Sequence, residues 1–221
     1  MSRPGTHTTP RLLLLGLLVL LVLPLLQGCW TLESYVVRVR IAADGSYTYF
    51  VDGSAAHAET VYAVRRADYE ARTGKLKPED VQKTRDAAEA TLSKDLEAAR
   101  KDPRVQNIKA VGGGRVRFTL AGKGSIGGGA VIFQEREAPL TYAQGPDGTL
   151  SIRLKEAVVG RNAEALGIHV DGDVSIKLDE GIQVLSHNAG KSPAVPGGAY
   201  RWHVDNPSQP APHLVIRLPK Q

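Results

Sequence analysis

The stretch YVVRVRIAADGSYTYFVDG, Tyr35 to Gly53, decides the fold class of this 221-residue chain. Val37, Val39 and Ile41 alternate with Arg38 and Arg40. Past Asp44-Gly45, Tyr47, Tyr49 and Val51 alternate with Thr48 and Phe50. A period of two sends successive side chains to opposite faces of an extended chain. Two such runs around an Asp-Gly turn predict a β-hairpin, apolar on one face and polar on the other.

Downstream the period changes. Ser54 as a cap and Gly74 as a stop predict a helix over about 55–73, through AAHAETVYAVRRADYEAR. Its apolar side is expected to hold Ala58, Val61, Tyr62 and Tyr69, with Arg65, Arg66, Glu70 and Arg72 largely opposite. A second helix is expected over 78–101. Pro78 opens it, Glu79 and Asp80 sit by the positive end of its dipole, and Asp102-Pro103 ends it. Val81, Ala88, Leu92, Leu96 and Ala99 form its narrow apolar stripe.

From Arg104 onward the sequence returns to short β-rich runs: VQNIKAV, RVRFTL, AVIFQER, LTYAQ and LSIRL, separated by glycine-rich connections. A helical turn is expected near Asn162–Leu166. IHVDGDVSIKLDEGIQVLSHNAG, YRWHV and HLVIRL then supply further strands. GKGSIGGGA, Gly122 to Ala130, is read as a connection. Its Lys123 precedes the wrong glycine for a phosphate loop, and a strand rather than a helix follows it. An N-terminal hairpin, two inserted helices and many short strands predict an α+β fold with a largely antiparallel sheet.

The N-terminus carries an address. Arg3 and Arg11 precede a run from Leu12 to Leu26 made only of Leu, Val, Gly and Pro. It is shorter than the roughly 20 apolar residues of a membrane span and fits the apolar core of a secretion signal. Leu26-Gln27-Gly28-Cys29, ending at the only cysteine, resembles a bacterial lipobox. That resemblance implies diacylglycerol on the Cys29 thiol, cleavage before Cys29 and acylation of the new amine. Trp30, where an aspartate would retain the protein at the inner membrane, implies sorting to the outer membrane, facing the periplasm. The organisation expected is a signal peptide at 1–28, a lipidated tether at 29–34 and a single α+β domain at 35–221. Two or three acyl chains, at about 0.8 kcal/mol per buried methylene, anchor a protein without a spanning helix.

Composition narrows the chemistry. Lys and Arg number 28 against 23 Asp and Glu, and loss of Arg3 and Arg11 leaves an excess too mild to argue for nucleic acid. Once Cys29 is lipidated no thiol remains for a disulfide, a thiolate metal site or a nucleophile. His57, His187 and His203 are where an envelope hydrolase would have to begin, yet none lies in an acid–nucleophile pattern. His169, Asp171 and Asp173 would share a strand face and could grip a cation, although Asp171-Gly172 reads equally well as a turn. No catalytic, cofactor or metal residue is assigned. The favoured function is non-enzymatic binding of an envelope partner or amphipathic lipid. Its expected contacts are the arginines Arg38, Arg40, Arg65 and Arg66, which suit phosphate head groups. Trp202 shares a face with Tyr200 and is expected in the core, or otherwise on a groove wall.

The order of elements, with GDVSIKLDEGIQVLSHNAG…GGAYRWHV near the end, resembles the LppM-like bacterial envelope lipoproteins. Gly172, His187-Asn188-Ala189-Gly190 and Tyr200-Arg201-Trp202 carry the likeness. Members often have a C-terminal spanning helix, where this sequence ends HLVIRLPKQ. The resemblance implies a small, non-catalytic α+β domain with a concave face, associated with envelope lipids or envelope partners.

Overall fold

The computed structural model describes residues 30–126, 140–145, 148–154, 166–206 and 209–219. The signal segment, Cys29, the run AVIFQER and all but Leu166 of the turn expected at 162–166 lie outside the described residues. The hairpin is present: β1 (Trp30–Ile41) and β2 (Ser46–His57) pair antiparallel, with Val37 opposite Val51 and Ile41 opposite Tyr47. Between them Gly45 takes φ 82°, and Asp44 Oδ1 accepts the Ser46 amide at 2.8 Å. Tyr35, Val37, Val39 and Ile41 are buried while Arg38 and Arg40 are exposed, as the alternation requires.

Helices α1 (Ala58–Arg72) and α2 (Pro78–Ala99) follow. Then come β3 (Val105–Gly112), β4 (Arg115–Ser125), β5 (Leu140–Gln144), β6 (Thr149–Leu154), β7 (Asp171–Leu178), β8 (Gln183–His187), β9 (Ala199–Val204) and β10 (His213–Arg217). They form a six-stranded sheet, β3-β4-β2-β1-β7-β9, and a four-stranded sheet, β5-β6-β10-β8. Every pairing is antiparallel except that of β1 with β7, so the fold is α+β with a largely antiparallel sheet. One core joins both sheets to α2. It holds Val37, Ile41, Val174 and Ile176 from the larger sheet, Leu150, Ile152, Leu214 and Ile216 from the smaller, and Leu92 and Leu96 from the helix.

Three boundaries differ from the sequence reading. The first helix starts at Ala58, not near residue 55. Ala55 and Ala56 are buried in β2 between β1 on one side and β4 on the other, and two ladders of hydrogen bonds outweigh alanine's preference for helix. Residues 30–34, expected as a tether, are instead the start of β1, with Thr31 buried and Trp30 opposite His57. Gly122 to Ser125 are not a connection but the last residues of β4, paired with β2; residues 127–130 lie outside the described residues.

Glycines in strands normally weaken them, and here cross-strand tyrosines explain their place. The ring of Tyr49 lies over Gly122, that of Tyr47 over Gly124 and that of Tyr35 over Gly172, each where a Cβ would stand. Tyr35 is hemmed in further by Gly53, its partner on the other neighbouring strand.

Candidate functional site

α1 and α2 pack on each other through a short connection, where Gly74 has φ 70° and the Thr73 hydroxyl donates to the Tyr69 carbonyl at 3.0 Å. α1 buries Thr60, Val61 and Ala67; α2 buries Val81, Leu92 and Leu96. An ion pair from Arg85 to Asp68, at 2.5 Å, ties the two helices together. Beside it opens a cleft of about 1110 Å³, with walls that include Tyr62, Arg65, Tyr69, Val81, Arg85 and Leu166.

The floor of this cleft comes from one stripe of α1. Tyr62, Arg65, Arg66, Tyr69 and Arg72 are spaced i, i+3, i+4, i+7 and i+10, which places them along one side of a helix. The expected division of tyrosines from arginines therefore does not occur. Tyr62 and Tyr69 are 55% and 56% exposed and stand among the guanidinium groups. A tyrosine is apolar only in its ring; with its hydroxyl in water it is comfortable on a charged face. Four arginines line the cleft against one lining carboxylate, Asp68, while Arg66 also bonds Glu70 at 2.9 Å. Arg85 Nε is buried without a hydrogen-bond partner among the described residues, although the end of the same guanidinium is paired.

The other expected contacts lie elsewhere. Arg38 and Arg40 do not line the cleft; they stand on the polar face of the larger sheet. Arg38 lies over the Phe50 ring at 5.8 Å, and Arg40 pairs with Asp179 at 3.1 Å. Trp202 is 6% exposed and belongs to the core, its Nε1 donating to Asn188 Oδ1 at 2.9 Å.

The histidines are dispersed, and none lines the cleft. His57 is the residue before α1, 2% exposed, with Nδ1 2.7 Å from the Thr60 hydroxyl and its ring against Trp30. His187 is exposed at the end of β8, its ring against Tyr200 and Nε2 3.5 Å from the Ser192 hydroxyl. Asp171-Gly172 is strand rather than turn, so Asp171 and Asp173 do share the open face of β7. The imidazole they meet, however, is His203 from β9, with Nδ1 3.2 Å from Asp173, and not His169. No cluster of three or more such side chains has the geometry to hold a metal ion among the described residues.

The hydrogen bond to Asp173, helped by the charges of Asp171 and Asp205, holds the His203 imidazole above the usual histidine range. A raised folded-state pKa gives a contribution fully present below the unfolded value and lost as pH rises through the folded one. NMR titration should therefore find His203 losing its proton later than a free histidine, and Asp173→Asn should return it towards the ordinary value. An unchanged midpoint in that variant would remove Asp173 as the cause.

One pair escaped the sequence altogether. Ser151 on β6 lies 3.0 Å from His213 Nε2 on β10, and burial, with Arg153 second, pushes that imidazole's pKa down. The two residues are brought together only by strand register, which no local pattern announces. No carboxylate among the described residues orients the other ring nitrogen, and neither residue lines the cleft between α1 and α2.

No helix among the described residues is long and apolar enough to cross a membrane. No protein family profile matches the chain, and no curated protein sequence matches it. Among solved structures it is similar to the NMR structure of the folded domain of LppM from Mycobacterium tuberculosis. The identity is 9% and the TM-score 0.37, over 88% of this chain and 95% of that one. The likeness is weak, and the side chains of the cleft carry the functional reading.

Proposed function

We propose that this protein is a non-enzymatic envelope lipoprotein, anchored through acylated Cys29, that holds an anionic amphipathic lipid in the cleft between α1 and α2. On this reading its address is the periplasmic face of the outer membrane. The observation that carries the binding role is the cleft itself: four arginines, two exposed tyrosines and an apolar wall from Val81 and Leu166. Guanidinium groups match phosphate oxygens bidentately, and the apolar wall suits an acyl chain. Dispersal of the histidines away from the cleft supports binding over hydrolysis. The Ser151–His213 pair is closer than Ser192–His187, but among the described residues it has no carboxylate partner and it does not line the cleft.

Native mass spectrometry of the processed protein, purified from its envelope in mild detergent, tests both parts together. The expected spectrum shows the mass of acyl chains on Cys29 and a further, displaceable anionic amphiphile. Arg65→Glu/Arg66→Glu should keep the first and lose the second at least tenfold, because each reversed charge turns an attraction into a repulsion. Retention of the amphiphile by that variant would refute the cleft; absence of covalent mass would refute the anchor.

A further inference from the structure

The pairing of β1 with β2 fixes where the chain emerges. Trp30 sits opposite His57, with their rings 5.0 Å apart, and α1 begins at the next residue, Ala58. The described residues thus begin at Trp30, already paired into the sheet and beside the first turn of α1. Along the helix axis Tyr62 is about 6 Å and Tyr69 about 16 Å from Ala58, at 1.5 Å per residue. The opposite end of β1, with the Asp44-Gly45 turn, is roughly 36 Å away, at about 3.3 Å per residue.

From this placement we infer that the Tyr62–Arg72 stripe of α1 rests on the anionic head groups of the membrane that holds the protein. The inference rests on the lipoprotein reading above, and it adds which surface of the domain faces the bilayer and from where the cleft is filled. Two features of the stripe select a lipid surface. Its tyrosines are exposed on an otherwise charged helix, and amphipathic rings of this kind settle at the membrane–water boundary. Arg65, Arg66 and Arg72 between and beside them complement phosphate-rich head groups. The polar face of the larger sheet carries Arg38, Arg40 and Lys177 but none of the exposed tyrosines. Its exposed large apolar side chain is aliphatic Val111 on the edge strand β3, and Asp171, Asp173 and Asp205 would repel an anionic surface at the end nearest Trp30.

The acylated full chain reconstituted in vesicles provides the test. Acylation occupies the only native cysteine, so a thiol introduced by Tyr69→Cys or by Lys177→Cys can be labelled alone. With a fluorophore at either place and a quencher on the lipid head groups, position 69 should be quenched about threefold more than position 177. This is expected in vesicles with roughly one-third phosphatidylglycerol in phosphatidylcholine. Arg65→Glu/Arg66→Glu/Arg72→Glu, or vesicles of phosphatidylcholine alone, should bring position 69 down to the level of position 177. Equal quenching at the two places, or indifference to the charge reversal, would overturn the inference and leave the stripe to a protein partner. Protein that floats with the vesicles but is not quenched at position 69 refutes this orientation alone. Protein that does not float refutes the anchor, and the orientation with it.

Discussion

Trp202→Ala should cost about 3–5 kcal/mol, a large share of the roughly 5–15 kcal/mol that holds an ordinary domain folded. The side chain is 6% exposed in the core shared by the two sheets and packs from β9, which among the described residues is an edge strand paired with β7. Its indole nitrogen also bonds Asn188 Oδ1, which accepts the His213 amide at 2.7 Å as well. One residue thus ties the edge of the larger sheet to the start of β10 in the smaller. Removing it opens a cavity and leaves Asn188 with one partner fewer. Thermal and denaturant melts of the variant measure the loss, and a midpoint within a few degrees of the parent would contradict the core assignment. Trp202→Phe should fall between the two, keeping most of the packing while losing the hydrogen bond.

Gly172→Val should be comparably damaging, at about 3 kcal/mol or more, for the opposite reason. A Cβ at position 172 would stand inside the Tyr35 ring. Tyr35 is buried enough that its phenol is pushed up to about 12, first by burial and then by the charge of Asp171, so the ring has no inexpensive alternative place. The signature is non-additivity. Tyr35→Ala alone should destabilise by leaving a gap, but Tyr35→Ala/Gly172→Val should cost clearly less than the sum of the two, since the new side chain enters the vacated space. Strict additivity in chemical denaturation would show that the contact is not what fixes glycine at 172.

The contrast between these residues explains what was legible in the sequence. The hairpin could be read because alternation and its Asp-Gly turn are local signals, complete within residues 35–53. Both helices were visible for the same reason, although α1 begins later than its cap residue suggested because β1 and β4 claim Ala55 and Ala56. Gly122 and Gly124 read as a loop because what makes them strand residues, the rings of Tyr49 and Tyr47, lies on β2, far away in the chain. The candidate site was half legible. Arg65 and Arg66 do line a cleft, and the tyrosines beside them were misassigned by counting their rings as core. Arg38 and Arg40 were grouped with them only because sequence carries no distances between elements. Ser151 and His213 meet through the register of β6 with β10, which nothing near either residue encodes.

The central place of β1 has a temporal meaning. In a chain delivered N-terminus first to its compartment, β1 is the first strand of the domain to arrive, yet one of its two neighbours is β7, paired from Asp171 onward. At synthesis rates of about 5–20 residues per second, that partner lags by the order of ten seconds. Until then one edge of the hairpin, including Val37, Val39 and Ile41, has nothing to close it. The first described strand is therefore among the last to be completed, and the larger sheet closes around it only when β7 has been made.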